Sequence, residues 1–264
     1  MAERHPDGQI TTEARGHVLL ICIDRPEKMN GFTPKMFIEL AQAYTKLERT
    51  HDLRCGVLYA AGNHFTAGLD LPKMAPLRAE GKPLFPPGEV DPLNLRHPLR
   101  TKPLIAAMKG ISFTLAVELM LAADIVIAAD NCRFTQMEVK RGIMPGAGAT
   151  FRMVARAGWG NAMKVMLTGD EFTAQDALRY NFVQEVVPLG QEFDRARALA
   201  ERIVEQAPLA VQAVIENARL AVDHGWLAAY SRIADTQQRL YSTDDAKEGV
   251  LSFQEKRPAK FTGR

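Results

Sequence analysis

The chain has 264 residues, 47% hydrophobic and 24% charged, with a net charge of +2 at neutral pH. Such a chain can bury a large core, and a charge this close to zero gives no reason to expect nucleic acid as the main partner, though a local basic patch could still meet an anionic small molecule. Cys22, Cys55 and Cys132 cannot all pair, no apolar run approaches the roughly 18 residues of a membrane span, and the start MAERHPDGQ lacks a signal-peptide core; reduced buried thiols, no membrane and a cytoplasmic location are expected.

In chain order, residues 9–14 and 17–24 (HVLLICID) read as a β-hairpin turning at Arg15-Gly16. A polar turn, RPEKMNG at 25–31, leads to Thr33-Pro34, an N-cap and first-turn proline for a helix to about Arg49. Met36, Phe37, Leu40, Tyr44 and Leu47 recur along it at helical spacing. Residues 54–60 form the next strand and run into a loop, AGNHFTAGLDL. Residues 71–101 carry seven prolines and read as an irregular surface excursion around a pocket.

The chain is organised around residues 109–150. A buried strand, LIAAM at 104–108, is broken by Lys109-Gly110, and residues 115–123 are apolar enough for a core helix. Glu118 sits in the middle of that helix, where an unpaired charge costs several kcal/mol or stays protonated. Glu138 follows after an apolar strand at 124–129 and precedes a Gly/Pro-rich turn, GIMPGAG. Two acids in different environments are what general acid/base chemistry needs, one giving a proton while the other takes one. Further on, short helices are expected at 150–157, 161–167 and 173–180, with Asn181 as a left-handed cap and a strand at 182–187. From about residue 190 the pattern is all helical, with breaks at Pro208, Gly225 and Thr243. The division expected is a core at 1–190 carrying the site, and a helical region at 191–264 for oligomerisation and active-site cover.

The segments IDRPEKMNGFTPKM (23–36), HFTAGLDL (64–71), KPLIAAMKG (102–110), AVELMLAADIVIAAD (116–130), FTQMEVKRGIMPGAGAT (134–150) and LTGDEFTAQDAL (167–178), in this order and spacing, resemble the crotonase superfamily of enoyl-CoA hydratases and isomerases. The resemblance implies an α/β spiral of ββα units with a helical C-terminal region, assembled as a homotrimer or homohexamer. It implies an oxyanion hole for a CoA thioester formed by the backbone N–H groups of Leu69 and Leu115. Leu115 also falls at a helix start, where amides are unpaired and the dipole is positive. Glu118 corresponds to the base toward water and Glu138 to the acid toward the α-carbon, in hydration of a 2-trans-enoyl-CoA. For CoA the resemblance points to Arg25, Lys28, Ala67 and Asp70: Ala67 by backbone contacts to adenine, Arg25 and Lys28 near phosphate or pantetheine. Phe253, Lys256, Lys260 and Phe261 resemble a tail that reaches a neighbour's CoA. No metal or redox cofactor is implied. Many hydratases carry glycines where this chain has Thr114-Leu115-Ala116, which reshapes the acyl pocket but not the amide donors. Two other readings are double-bond isomerisation by one carboxylate, and an acyl-CoA- or RNA-binding relative without turnover. A hydrolase triad of Ser112, His64 and an Asp lacks a nucleophile elbow around the serine.

Overall fold

The computed structural model describes residues 5–81 and 83–264. The chain begins with the hairpin β1 (Gln9–Arg15) and β2 (Val18–Asp24), then α1 (Pro34–Arg49), β3 (Cys55–Ala60) and α2 (Leu71–Ala79). It continues through β4 (Leu104–Met108), β5 (Ile111–Phe113), α3 (Leu115–Ala122), β6 (Ile125–Ala129) and β7 (Arg133–Thr135). Next come α4 (Ala149–Ala157), α5 (Trp159–Thr168), β8 (Phe172–Thr173), α6 (Ala174–Arg179) and β9 (Glu185–Val187). Four helices finish it: α7 (Glu192–Val204), α8 (Pro208–His224), α9 (Trp226–Tyr241) and α10 (Asp244–Glu255).

The large sheet has strand order β1-β2-β3-β4-β6-β9 and is parallel except for the β1–β2 hairpin. A second line of pairing runs beside it: Phe32 bridges Leu69, Thr66 bridges Ser112, β5 pairs with β7 in parallel, and β7 with β8 antiparallel. Each turn of chain thus gives one strand to the large sheet, a short extended piece to the small one, and then a helix. The turns stack in sequence order, which is the spiral of ββα units expected from the resemblance.

Long parallel strands buried on both faces read as unbroken apolar runs, and these do. Leu19, Ile21, Leu58, Leu104 and Ala106 face the main core beneath α1 and α3, while Val18, Leu20, Cys55, Val57, Ile105 and Ala107 face the other way. That second face is covered by α7 through Ala196 and Ala200. The small side chains four residues apart let the helix lie close to the sheet. α7 therefore packs against the second face of the large sheet.

The segment 71–101 is more regular than its prolines suggest. Asp70 accepts the Lys73 amide at 3.3 Å and starts α2, with Pro72 in the first turn and Pro76 inside the helix. Further on, the Thr173–Asp176 capping box closes the start of α6, and Asn181 takes the left-handed conformation at φ 61°. The cysteines are all buried and unpaired. Among the described residues no helix is long and apolar enough to cross a membrane.

A buried ionic junction ties the layers together. Arg100, 1% exposed, pairs with Asp124 at 2.6 Å and donates to the carbonyls of Lys102 and, at 3.2 Å, Ala122. Asp124 also receives the Leu104 amide at 2.8 Å and Arg219 of α8 at 3.1 Å. Burial alone would raise the Asp124 carboxyl, but Arg100, Arg219 and the Leu104 amide outweigh it and hold it below the usual range. Removing one partner leaves the other charge buried and uncompensated, so Arg100→Ala is expected to cost about 3–5 kcal/mol. Chemical denaturation checks this against Arg133→Ala, whose pair with Glu171 is exposed and whose loss should leave the midpoint unchanged.

Candidate active site

α3 is buried along its whole length, so its only polar side chain must find partners inside the protein. Glu118 is 5% exposed, and its Oε1 accepts the Ala147 amide at 2.6 Å and the Ala149 amide at 3.4 Å. These donors come from the turn that leads into α4, where Gly148 at φ 106° lets the backbone curl around the carboxylate. Burial pushes the carboxyl up to about 7; the Ala147 amide pulls it down, the charge of Glu138 adds to the rise, and the Ala149 amide and Arg152 oppose it.

Glu138 opens a short 3-10 turn after β7 and is half-buried. Its Oε1 accepts from Gln136 Nε2 at 3.3 Å, Gln136 itself being fully buried, while Oε2 is buried and has no protein partner. Burial raises this carboxyl too. The two acids thus share a site, each fixed through one oxygen.

Two residues of the same pocket carry backbone amides without a backbone acceptor among the described residues. Leu115 is the first residue of α3, where no carbonyl four residues back belongs to the helix, and its amide donates to no backbone carbonyl among the described residues. On the neighbouring strand the Phe32 bridge uses the carbonyl of Gly68 and the amide of Asp70, and Thr66 Oγ1 takes the amide of Gly68. The Leu69 amide between them likewise meets no backbone carbonyl among the described residues. The register explains why these groups meet. Thr66 pairs with Ser112, and Ser112 with Phe134; Leu69 and Leu115 each lie three residues past their paired position, and Glu138 four past its own. This line of pairing therefore brings Leu69, Leu115 and Glu138 to one edge, just beyond the paired residues.

Leu69, Leu115, Glu118 and Glu138 all line one pocket of about 710 Å³. Its other walls are mainly apolar, with Phe37, Phe85, Leu93, Met137, Ile143 and Met144. The proline-rich stretch contributes Pro83, Leu84, Phe85, Asp91, Leu93, Leu95 and Arg96 to this wall, in keeping with its reading as an excursion around a pocket. Its anchor is Asp91, 4% exposed, whose carboxylate accepts the amides of Leu93, Leu95 and Arg96. The Ala147 and Ala149 donors were equally hidden in the sequence, since a backbone amide carries no residue signature.

The four candidate CoA residues separate. Ala67 lines the pocket, and its amide donates to the Met29 carbonyl at 2.9 Å. Lys28 is exposed. Arg25, by contrast, is 2% exposed, with Nη1 shared between the Gly31 carbonyl and Asp70, both at 2.8 Å. Its charge is committed to Asp70 and holds the 25–31 turn against the Asp70 loop, rather than standing free for a phosphate. The Arg25 hydrogen bond in turn holds the Asp70 carboxyl below its usual range. His64 Nδ1 takes the Ile111 amide at 3.1 Å and Ser112 is fully buried, so no triad forms between them. In the tail, Phe253 is 85% exposed and the Phe261 carbonyl is held by Arg54 at 2.8 Å.

Residues 13–264 match the enoyl-CoA hydratase/isomerase family profile. The chain is 33% identical to an enoyl-CoA hydratase of Mycobacterium tuberculosis, over 99% of this chain and 98% of that one. It is 34% identical to an (E)-benzylidenesuccinyl-CoA hydratase of Thauera aromatica, over 96% and 99% of the two chains. A carnitinyl-CoA dehydratase of Proteus mirabilis is also 34% identical, over 95% and 97%. Among solved structures, a Mycobacterium abscessus protein described as a probable enoyl-CoA hydratase/isomerase superposes with a TM-score of 0.93 at 45% identity, covering 97% of this chain and 98% of that one. With the spiral of ββα units and a match running almost end to end, the chain belongs to the enoyl-CoA hydratase/isomerase family of the crotonase superfamily.

Proposed function

We propose that the protein catalyses the reversible addition of water across the α,β double bond of a 2-trans-enoyl-CoA. The observation that carries this reading is the pair of raised carboxyls in one pocket with two amides that meet no backbone carbonyl. The thioester oxygen accepts from Leu69 and Leu115, which stabilises the enolate that forms as the β-carbon is attacked. Glu118, ionised, takes a proton from a water held between the two acids, and the hydroxyl adds to the β-carbon. Glu138, protonated, gives its proton to the α-carbon. The proton on Glu118 then returns through the pair to Glu138, so each turnover consumes one water and restores both acids. Burial raises both carboxyls above the ordinary range, which suits a pair that passes one proton between its members. The atoms come from water and the protons from the glutamates, and the reaction written this way calls for no cofactor beyond the CoA that the substrate carries.

The relatives named above support hydration over isomerisation, because each is named for adding or removing water on a CoA thioester, with acyl groups that differ. Ala67, Lys28 and the Arg25–Asp70 pair form the side of the site we assign to CoA. Exposed large apolar side chains concentrate on α8–α10, among them Val222, Trp226, Leu227, Tyr230 and Tyr241, in keeping with self-association as a homotrimer or homohexamer. Buried, unpaired cysteines suit a reducing, cytoplasmic setting.

The direct test follows the loss of enoyl-thioester absorbance with crotonyl-CoA and with a longer enoyl-CoA. Turnover by the parent, lowered about 10²–10⁴-fold in both Glu118→Gln and Glu138→Gln, is the expected result. An isomerase relying on Glu138 alone would survive Glu118→Gln, and tight binding of both esters without turnover would defeat the hydratase reading.

A second expectation concerns pH. The folded state binds the Glu118 proton more tightly than the unfolded chain, whose carboxyl titrates near 4.5. This contribution to stability is full below about 4.5 and is lost as pH rises through about 7. Activity should rise over that window as the base ionises, while the melting temperature falls. Glu118→Gln should flatten the melting curve's dependence on pH between 5 and 8; an unchanged slope would assign the titration elsewhere.

A further inference from the structure

Between the two amide donors stands a residue with an unusual backbone. Thr114 adopts φ 50° and ψ −102° at the N-cap of α3, a left-handed conformation that a β-branched side chain strongly disfavours. Glycine would occupy it without strain. A side chain kept at such a place, in the wall of a pocket, calls for a reason.

Its contacts supply one. The Thr114 amide donates to the Thr135 carbonyl at 2.8 Å, on β7 three residues before Glu138. Its carbonyl receives the Glu118 amide at 3.2 Å, and the next residue presents the Leu115 donor. The side chain reaches the opposite way, to the loop of the other donor. A Cβ built on Gly68 would lie 2.3 Å from Thr114 Oγ1, so the hydroxyl oxygen is seated on the bare Cα of Gly68. Gly68, at φ 100°, immediately precedes Leu69. One residue therefore touches both amide-bearing segments, the helix that carries Glu118 and the strand that leads to Glu138.

We propose that Thr114 is a positioning residue for the reaction: its side chain wedges against Gly68 and fixes the separation of the Leu69 and Leu115 amides. The inference rests on the oxyanion-hole reading given above. In the absence of the wedge the 67–69 loop can slide toward α3, and donors that shift by a fraction of an ångström lose part of their grip on the developing oxyanion without losing substrate binding.

The test compares Thr114→Gly, Thr114→Ala and Thr114→Ser in the full-length protein. Two readouts are used: steady-state kinetics with crotonyl-CoA, and the red shift in absorbance of cinnamoyl-CoA on binding, which reports polarisation of the thioester carbonyl. Thr114→Gly and Thr114→Ala should lower kcat about tenfold, less than the roughly 10²–10³-fold loss of a whole donor, with KM within about twofold and a smaller red shift. Thr114→Gly should melt no lower than the parent, since it relieves the strained φ. Thr114→Ser keeps Oγ1 and should restore kcat and the red shift to within about threefold of the parent. Parental kcat and parental red shift in Thr114→Gly and Thr114→Ala would overturn the proposal alone, and so would a serine variant as impaired as alanine. A parent that binds cinnamoyl-CoA with no red shift would overturn the oxyanion-hole reading, and this proposal with it.

Discussion

The arrangement of the site follows from one constraint, a carboxylate in the middle of a helix that is buried on every side. Glu118 is 5% exposed and forms no ion pair among the described residues, so backbone amides meet its carboxylate. That demand fixes the turn before α4. Ala147 and Ala149 can point inward together only if residue 148 takes a left-handed conformation, and a Cβ there would lie 2.9 Å from the Arg152 guanidinium. The Gly-Ala-Gly-Ala run is thus a consequence of Glu118. The amides do not fully offset desolvation, and the residual cost appears as a carboxyl that titrates near 7 instead of 4.5. A group poised there exchanges protons readily at neutral pH, so incomplete compensation is the useful property.

The spiral supplies the second requirement, which is register. The pairing of Thr66 with Ser112 sets the two segments side by side, and Leu69 and Leu115 each follow it by three residues. The Arg25–Asp70 pair braces the loop beyond Leu69, and the Thr114 amide, bonded to Thr135, braces the strand that leads to Glu138. The chemistry accordingly sits where the small sheet meets the helix starts, on backbone held from both sides.

Much of this was legible from sequence, for identifiable reasons. Strands buried on both faces, such as LIAAM in β4, announce themselves as apolar runs, and Thr33-Pro34 or Thr173 with Asp176 announce helix starts through caps. Glu118 stood out because a carboxylate amid Ala, Val, Leu and Met is chemically out of place. β5, β7 and β8, two or three residues each, are too short to show a period, yet they set the register of the site. α2 was harder to place because, of its two prolines, only Pro72 falls in the first turn that tolerates one, while Pro76 lies inside the helix. The Arg25–Asp70 ion pair was not legible, because only the fold brings together two residues 45 positions apart. The place of α7 in the core was hidden for a related reason, since helical periodicity shows that a face is apolar without showing what it meets.

These two classes of feature, backbone donors and pocket walls, also divide the work of the family. A hydratase of an unsaturated acyl-CoA, one acting on (E)-benzylidenesuccinyl-CoA and a dehydratase of carnitinyl-CoA stand at nearly equal identity to this chain. A backbone amide donor needs no particular side chain, so Thr114-Leu115-Ala116 can present the Leu115 amide as well as glycines would. The apolar wall of the pocket is a different surface, made here from Leu84, Phe85, Leu93 and Leu95 and from Ile143 and Met144. That surface lies outside the regular elements and is held by a few contacts, notably the Asp91 carboxylate and Arg152, which donates to the Leu93 carbonyl at 2.7 Å. Side chains there can change without disturbing the spiral, the amides or the glutamates. That wall of the pocket thus lies in residues 83–96 and 143–147, while the two glutamates and the Leu69 and Leu115 amides stand on the strands and helix starts behind it.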